Sequence, residues 1–193
     1  MGRAKLSVNI NKYALLRNSR GHDEPNLCAA ADTCIAAGAH GITVHPRLDQ
    51  RHVRFEDVPT LSRHLREHHP TIEFNIECED DPGLLEMVHE LRPHQCTLVP
   101  VTPGEVTSDH GYRFPGDGEA LTPVVAALKA LGIRVSIFMD PDPAPMAAAA
   151  ATGIDRVEIY TGPYAWAWGT ERQAEETAKV YAAAAAAREA GMG

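Results

Sequence analysis

Six short apolar runs, rich in β-branched residues, recur along the chain, and each gives way to a longer stretch of helical character. The runs are "LSVNI" (residues 6–10), "GITVH" (41–45), "IEFNIE" (72–77), "CTLVP" (96–100), "RVSIFMD" (134–140) and "RVEIYTG" (156–162). The helical stretches are "NLCAAADTCIAAG", "EDVPTLSRHLREHH", "DPGLLEMVHELRP", "ALTPVVAALKALG", "DPAPMAAAAATG" and "TERQAEETAKVYAAAAAAREAG". Several end in glycine, a common helix stop signal, and Thr170 and Gln173 have the spacing of a capping box. Strands alternating with helices predict parallel strands joined by crossovers, hence an α/β fold. The near-continuous apolar character of the strands predicts burial on both faces.

Polar residues gather at the strands' C-terminal ends: Asn9 and Asn11, His45 and Arg47, and Glu77, with Glu158 inside the last strand. A TIM (β/α)8-type barrel draws its chemistry from that end of several strands. An open doubly wound sheet would instead carry a glycine-rich first turn, which "LSVNI" lacks. The barrel is therefore the expected fold, as one incomplete domain over residues 1–193 with six of the eight βα units. A full barrel takes ~250 residues, so a fragment ending where a seventh strand would begin is expected.

Bulk chemistry narrows the function classes. The formal charge of −8 argues against a nucleic-acid-binding surface. No apolar stretch approaches the ~18 residues of a membrane span, and the N-terminus does not read as a signal peptide. Cys28, Cys34, Cys78 and Cys96 form no CxxC or zinc-finger spacing, as expected of reduced packing residues in a cytoplasmic protein.

The chemistry concentrates in three stretches. In "VNINKYALLRNSRG", Asn9 and Asn11 should share one side of a strand, with Arg17 and Arg20 in the following loop to hold a phosphate or carboxylate; a solvated basic turn is the plainer alternative. In "GITVHPRLDQRH", Pro46 stiffens the strand exit. His45 there suits proton transfer, Arg47 and Arg51 suit an anion, and Asp49 could pair with either arginine. Glu77 in "EFNIE" is a candidate general acid–base, and Glu158 is either a catalytic carboxylate or half of an ion pair. The long connection "VPVTPGEVTSDHGYRFPGDGE" could order over a ligand. A metal site from His45, His52 and Glu77 stays open, but no paired-ligand spacing supports it.

Together these stretches, with "TLVPVTPGEVTSDHG", "VSIFMDPDP" and "RVEIYTGPYA", closely resemble the pyridoxine 5'-phosphate synthase family, in family order and over essentially the whole chain. The resemblance implies an oligomeric (β/α)8 barrel without metal or organic cofactor. It implies condensation of 3-amino-2-oxopropyl phosphate with 1-deoxy-D-xylulose 5-phosphate. It also implies that His45 and Glu77 accept protons and that Glu158 stabilises the transition state. Asn9 and Arg20 would bind the amino-ketone phosphate, and Arg47, His52 and Thr107 the deoxyxylulose phosphate. Many members carry Asp-His where this chain has Asn11-Lys12; Lys12 would still offer an anion a point charge. The family's donor histidine and glycine-rich phosphate grip fall past Gly193, so low synthase activity is expected of the 193-residue polypeptide. Two other readings compete. One is a phosphosugar aldolase or isomerase barrel, for which Lys12 is the only lysine near a strand mouth. The other is an inactive fragment that binds phosphorylated substrate or completes a homo-oligomer.

Overall fold

A computed structural model describes residues 4–102 and 104–193. All six expected strands form: β1 (Ser7–Asn9), β2 (Gly41–Val44), β3 (Glu73–Cys78), β4 (Gln95–Leu98), β5 (Arg134–Met139) and β6 (Arg156–Ile159). They are hydrogen-bonded in chain order, and the pairs β1–β2, β2–β3 and β5–β6 are parallel. A doubly wound sheet would reverse its strand order at a switch point; this one does not. The described residues up to Cys96 and those from Thr97 onward form two compact units.

The first unit holds α1 (Asn11–Arg20), α2 (Leu27–Ala36), α3 (Asp57–His68) and α4 (Pro82–Leu91). Alternation along β2 and β3 sorts their side chains by face. Ile42, Val44, Phe74 and Ile76 join Leu61, Leu65, Leu84 and Val88 of α3 and α4 in the apolar core, each worth roughly 1.5–3 kcal/mol when fully buried. The intervening positions are polar and satisfy one another. The Ser7 and Thr43 hydroxyls lie 2.9 Å apart, and the Asn75 amide donates to Thr43 Oγ1 at 3.3 Å. Gly41 is needed where β1, β2 and β3 come together: a Cβ there would sit 2.9 Å from Ser7 Oγ and 3.3 Å from Glu73 Cβ.

The second unit holds α5 (Gly118–Ala130), α6 (Met146–Ala150), α7 (Gly162–Ala167) and α8 (Gln173–Glu189). Its core combines Val135, Ile137 and Met139 of β5 with Leu121, Val125 and Leu128 of α5.

Three local expectations need correction. First, Asn11 is not a strand residue: Asn9 Oδ1 accepts its backbone N–H at 2.9 Å and turns the chain into α1. Second, Arg17 and Arg20 accordingly lie on α1, which closes at Gly21 with φ 72°, and not in a loop. Third, Gln173 does not reach back to Thr170 as in a capping box. Its side chain accepts the N–H of Gly169 at 2.9 Å, while Thr170 Oγ1 donates to Ala167 and accepts from the N–H of Arg172. Among the described residues no helix is long and apolar enough to cross a membrane.

Candidate active site

The ends of β1, β2 and β3 converge on one polar cluster within the first unit. Val44 pairs with Ile76 in the sheet register, so one step further along brings His45 level with Glu77. Both are buried, and His45 Nδ1 lies 3.5 Å from Glu77 Oε2. Asn9 Nδ2 donates to the two Glu77 oxygens at 3.4 and 3.3 Å. Asn11 closes the circuit: its Oδ1 accepts the backbone N–H of His45 at 2.9 Å. Aspartate has the same acceptor atom, so this contact would survive an Asn11→Asp change.

Burial, followed by the positive charge of Arg47 and of His52, pushes the His45 imidazole down to about 3. The Asp49 carboxylate pulls the other way, but desolvation wins. The ring is then neutral at pH 7. Assigning its Nδ1 proton toward Glu77 leaves Nε2 as a bare lone pair. That atom is buried and has no hydrogen-bond partner among the described residues. Such a nitrogen is suited to receive a proton from a bound molecule.

A short loop follows His45 and is held from three sides. Pro46 and Val53 form an isolated parallel bridge across its neck. A turn closes from the N–H of Gln50 to the Arg47 carbonyl at 2.9 Å. The Asn18 amide of α1 donates to the carbonyls of Arg51 and His52 at 3.2 and 2.7 Å. Asp49, which could have paired with either arginine, grips Arg51 through Nε at 2.8 Å, whereas Arg47 Nε stands 4.0 Å from it. The Arg47 side chain is buried beside the cluster. His52 is half-buried, its ring 6.2 Å from that of His45. Its Nδ1 accepts the N–H of Val53 at 2.9 Å, which fixes the neutral tautomer with Nε2–H free to donate. Burial, then Arg47, pushes this imidazole down to about 4.

Three further expected residues lie on α1. Lys12 and Arg20 are exposed on α1. Arg17, expected to hold an anionic ligand, is instead committed to Asp57 through bonds of 2.6 and 2.8 Å. In the second unit Thr107 is exposed in the connection after β4, while Glu158 is half-buried on β6, where burial pushes its carboxyl up. The long connection is anchored to the end of β5 by Tyr112 N–H to Phe138 O at 3.0 Å. A Cβ at Gly111 would collide with the backbone of Met139 and Asp140, so glycine permits that approach. Asn18 and Asp57 were not anticipated; an Asn between arginines gives no sequence signal for carbonyl binding.

Parallel βα units in chain order, with a His–Glu–Asn cluster and the buried Arg47 at the strand ends, define a protein of the TIM-barrel class. The model for the family described as "Pyridoxal phosphate biosynthesis protein PdxJ" matches residues 6–193, and the chain belongs to that family. It is 50% identical over 194 residues to the pyridoxine 5'-phosphate synthase of Albidiferax ferrireducens, covering 98% of this chain and 77% of that protein. It is 52% identical over 195 residues to the pyridoxine 5'-phosphate synthase of Xanthomonas campestris pv. campestris strain B100, covering 97% and 75%. Among solved structures, the HMG-CoA lyase of Brucella melitensis shares the fold with a TM-score of 0.63 at 13% identity, over 97% of this chain and 69% of the other.

Proposed function

We propose that the chain is a pyridoxine 5'-phosphate synthase, condensing 3-amino-2-oxopropyl phosphate with 1-deoxy-D-xylulose 5-phosphate to pyridoxine 5'-phosphate, inorganic phosphate and water. The observation that carries this reading is the joining of Asn9, Asn11, His45 and Glu77 into one hydrogen-bonded cluster in a member of the PdxJ family. His45 Nε2 accepts a substrate proton, and Glu77 orients the ring and serves as the second acceptor. Glu158 stabilises charge in the transition state. Arg47, His52 and Thr107 hold the deoxyxylulose phosphate; Asn9, Arg20 and Lys12 hold the amino-ketone phosphate. The condensation needs no net oxidation, and proton transfers with loss of phosphate and water account for it, so no redox cofactor is called for. The same reading makes the protein a cytoplasmic homo-oligomer with residues 1–193 in one domain.

The test pairs calorimetry with deoxyxylulose phosphate and chromatographic measurement of pyridoxine 5'-phosphate. Saturable binding is expected, weakened by Arg47→Ala. Product formation should fall by ~10²–10⁴ in His45→Gln and in Glu77→Gln, the usual contribution of a positioned acid–base group. Neither binding nor product from the unaltered chain, or product formation unchanged in His45→Gln, overturns the proposal.

A further inference from the structure

Helices α2 and α3 carry a cluster that the proposed reaction does not use. His64 Nε2 lies 2.7 Å from Asp32 Oδ1, and His69 Nε2 lies 2.8 Å from the same oxygen. All three ligand atoms fall within 4.8 Å of one another, on half-buried side chains. The spacing hides this in the sequence. At 3.6 residues per turn, a regular helix would place position 69 about 140° round from position 64. His69, however, ends α3 with φ −137° and ψ 57°, and this break returns its ring to within 5.8 Å of that of His64. The break is itself held, by the His69 N–H bonded to the Leu65 carbonyl at 2.8 Å.

Two imidazole nitrogens and a carboxylate oxygen form a donor set that suits zinc and its transition-metal neighbours better than magnesium or calcium. Zinc bonds of ~2.0–2.2 Å in a tetrahedron separate the ligand atoms by about 3.4 Å. The two present contacts would thus open by about 0.6 Å, a change within reach of half-exposed side chains. We propose that Asp32, His64 and His69 form a binding site for a divalent transition metal, typified by Zn²⁺, that clamps α2 to α3 and leaves a fourth position to water. The metal takes the place of the Nε2 protons, which move to Nδ1 or to solvent. This site is independent of the synthase reading.

The test is calorimetric titration of the full 193-residue chain with Zn²⁺ after chelator dialysis, with thermal melts alongside. One zinc per chain and a zinc-dependent rise in Tm are expected. His64→Gln and His69→Gln should each weaken binding by more than the ~10–100-fold typical of losing an outer-shell partner. Asp32→Asn should abolish the rise in Tm, and His22→Gln, whose histidine lies outside the cluster, should change neither readout. Circular dichroism checks that each variant is folded. Absence of saturable zinc binding in the unaltered chain, or undiminished binding in a folded His64→Gln/His69→Gln double variant, overturns the proposal.

Discussion

Replacing Arg17 by methionine isolates what the ion pair beneath the Arg47–His52 loop contributes. The Arg17 guanidinium is 3% exposed and reaches Asp57 with a two-pronged fork of 2.6 and 2.8 Å. Asp57 in turn accepts the N–H of Arg54 at 2.7 Å. Methionine keeps much of the apolar stem but leaves the carboxylate with that one backbone donor. Breaking a buried pair from one side costs ~3–5 kcal/mol, which for a chain of this size lowers Tm by roughly 6–20 °C. Urea unfolding, extrapolated linearly to water, measures the loss. The cycle with Asp57→Asn separates pairing from packing, because the double variant removes the stranded charge and should cost clearly less than the sum of the singles. A loss below about 1 kcal/mol, the range of a solvated surface pair, or strict additivity in the cycle would refute the reasoning. Arg17 Nη2 also donates to the His52 carbonyl at 3.4 Å, so KM for the deoxyxylulose phosphate should rise more than kcat falls.

Three further outcomes are expected. Burial depresses His45 to about 3 and His52 to about 4, so the unfolded chain binds more protons below its ordinary histidine pKa of ~6.5. Stability should therefore fall as pH drops from about 6.5 toward 4, by up to ~1.4 kcal/mol per pH unit per histidine, and a urea series from pH 7 to 5 should show a shallower slope in His45→Gln. Gly111→Ala pushes a methyl into the β5 backbone; a loss of ~1–3 kcal/mol with faster proteolysis between β4 and α5 is the expected result, and a silent substitution would contradict the packing. Asn11→Ala strands the buried N–H of His45 at ~1–3 kcal/mol, whereas Asn11→Asp, which keeps the acceptor, should lose markedly less in the same melt.

The strands were legible because their apolar, β-branched residues write both the element and its direction of burial. Helix α1 was not: Tyr13, Leu15 and Leu16 are exposed, so the stretch has no clear apolar stripe, and the strand pattern runs on through Asn11. Helix α7 is six residues long, too short for periodicity to register. At the site, His45 and Glu77 were readable from their places at the strand ends. The partners chosen by the arginines were not, because Arg17 and Asp57 meet only when α1 and α3 fold together. The Asp32–His64–His69 cluster stayed hidden for a related reason, since a non-helical residue at the end of α3 creates it.

The bridge between Pro46 and Val53 matters beyond shape. With its neck pinned and its outer carbonyls already held by Asn18, the segment from Arg47 to His52 has little backbone freedom left to surrender. Ordering a mobile residue costs ~1–2 kcal/mol, and here that cost is met at folding and not at encounter. On the proposed function, phosphate capture by this segment should then proceed with a small entropic penalty, and its selectivity should follow the fit of the preset Arg47 and His52 donors to the anion.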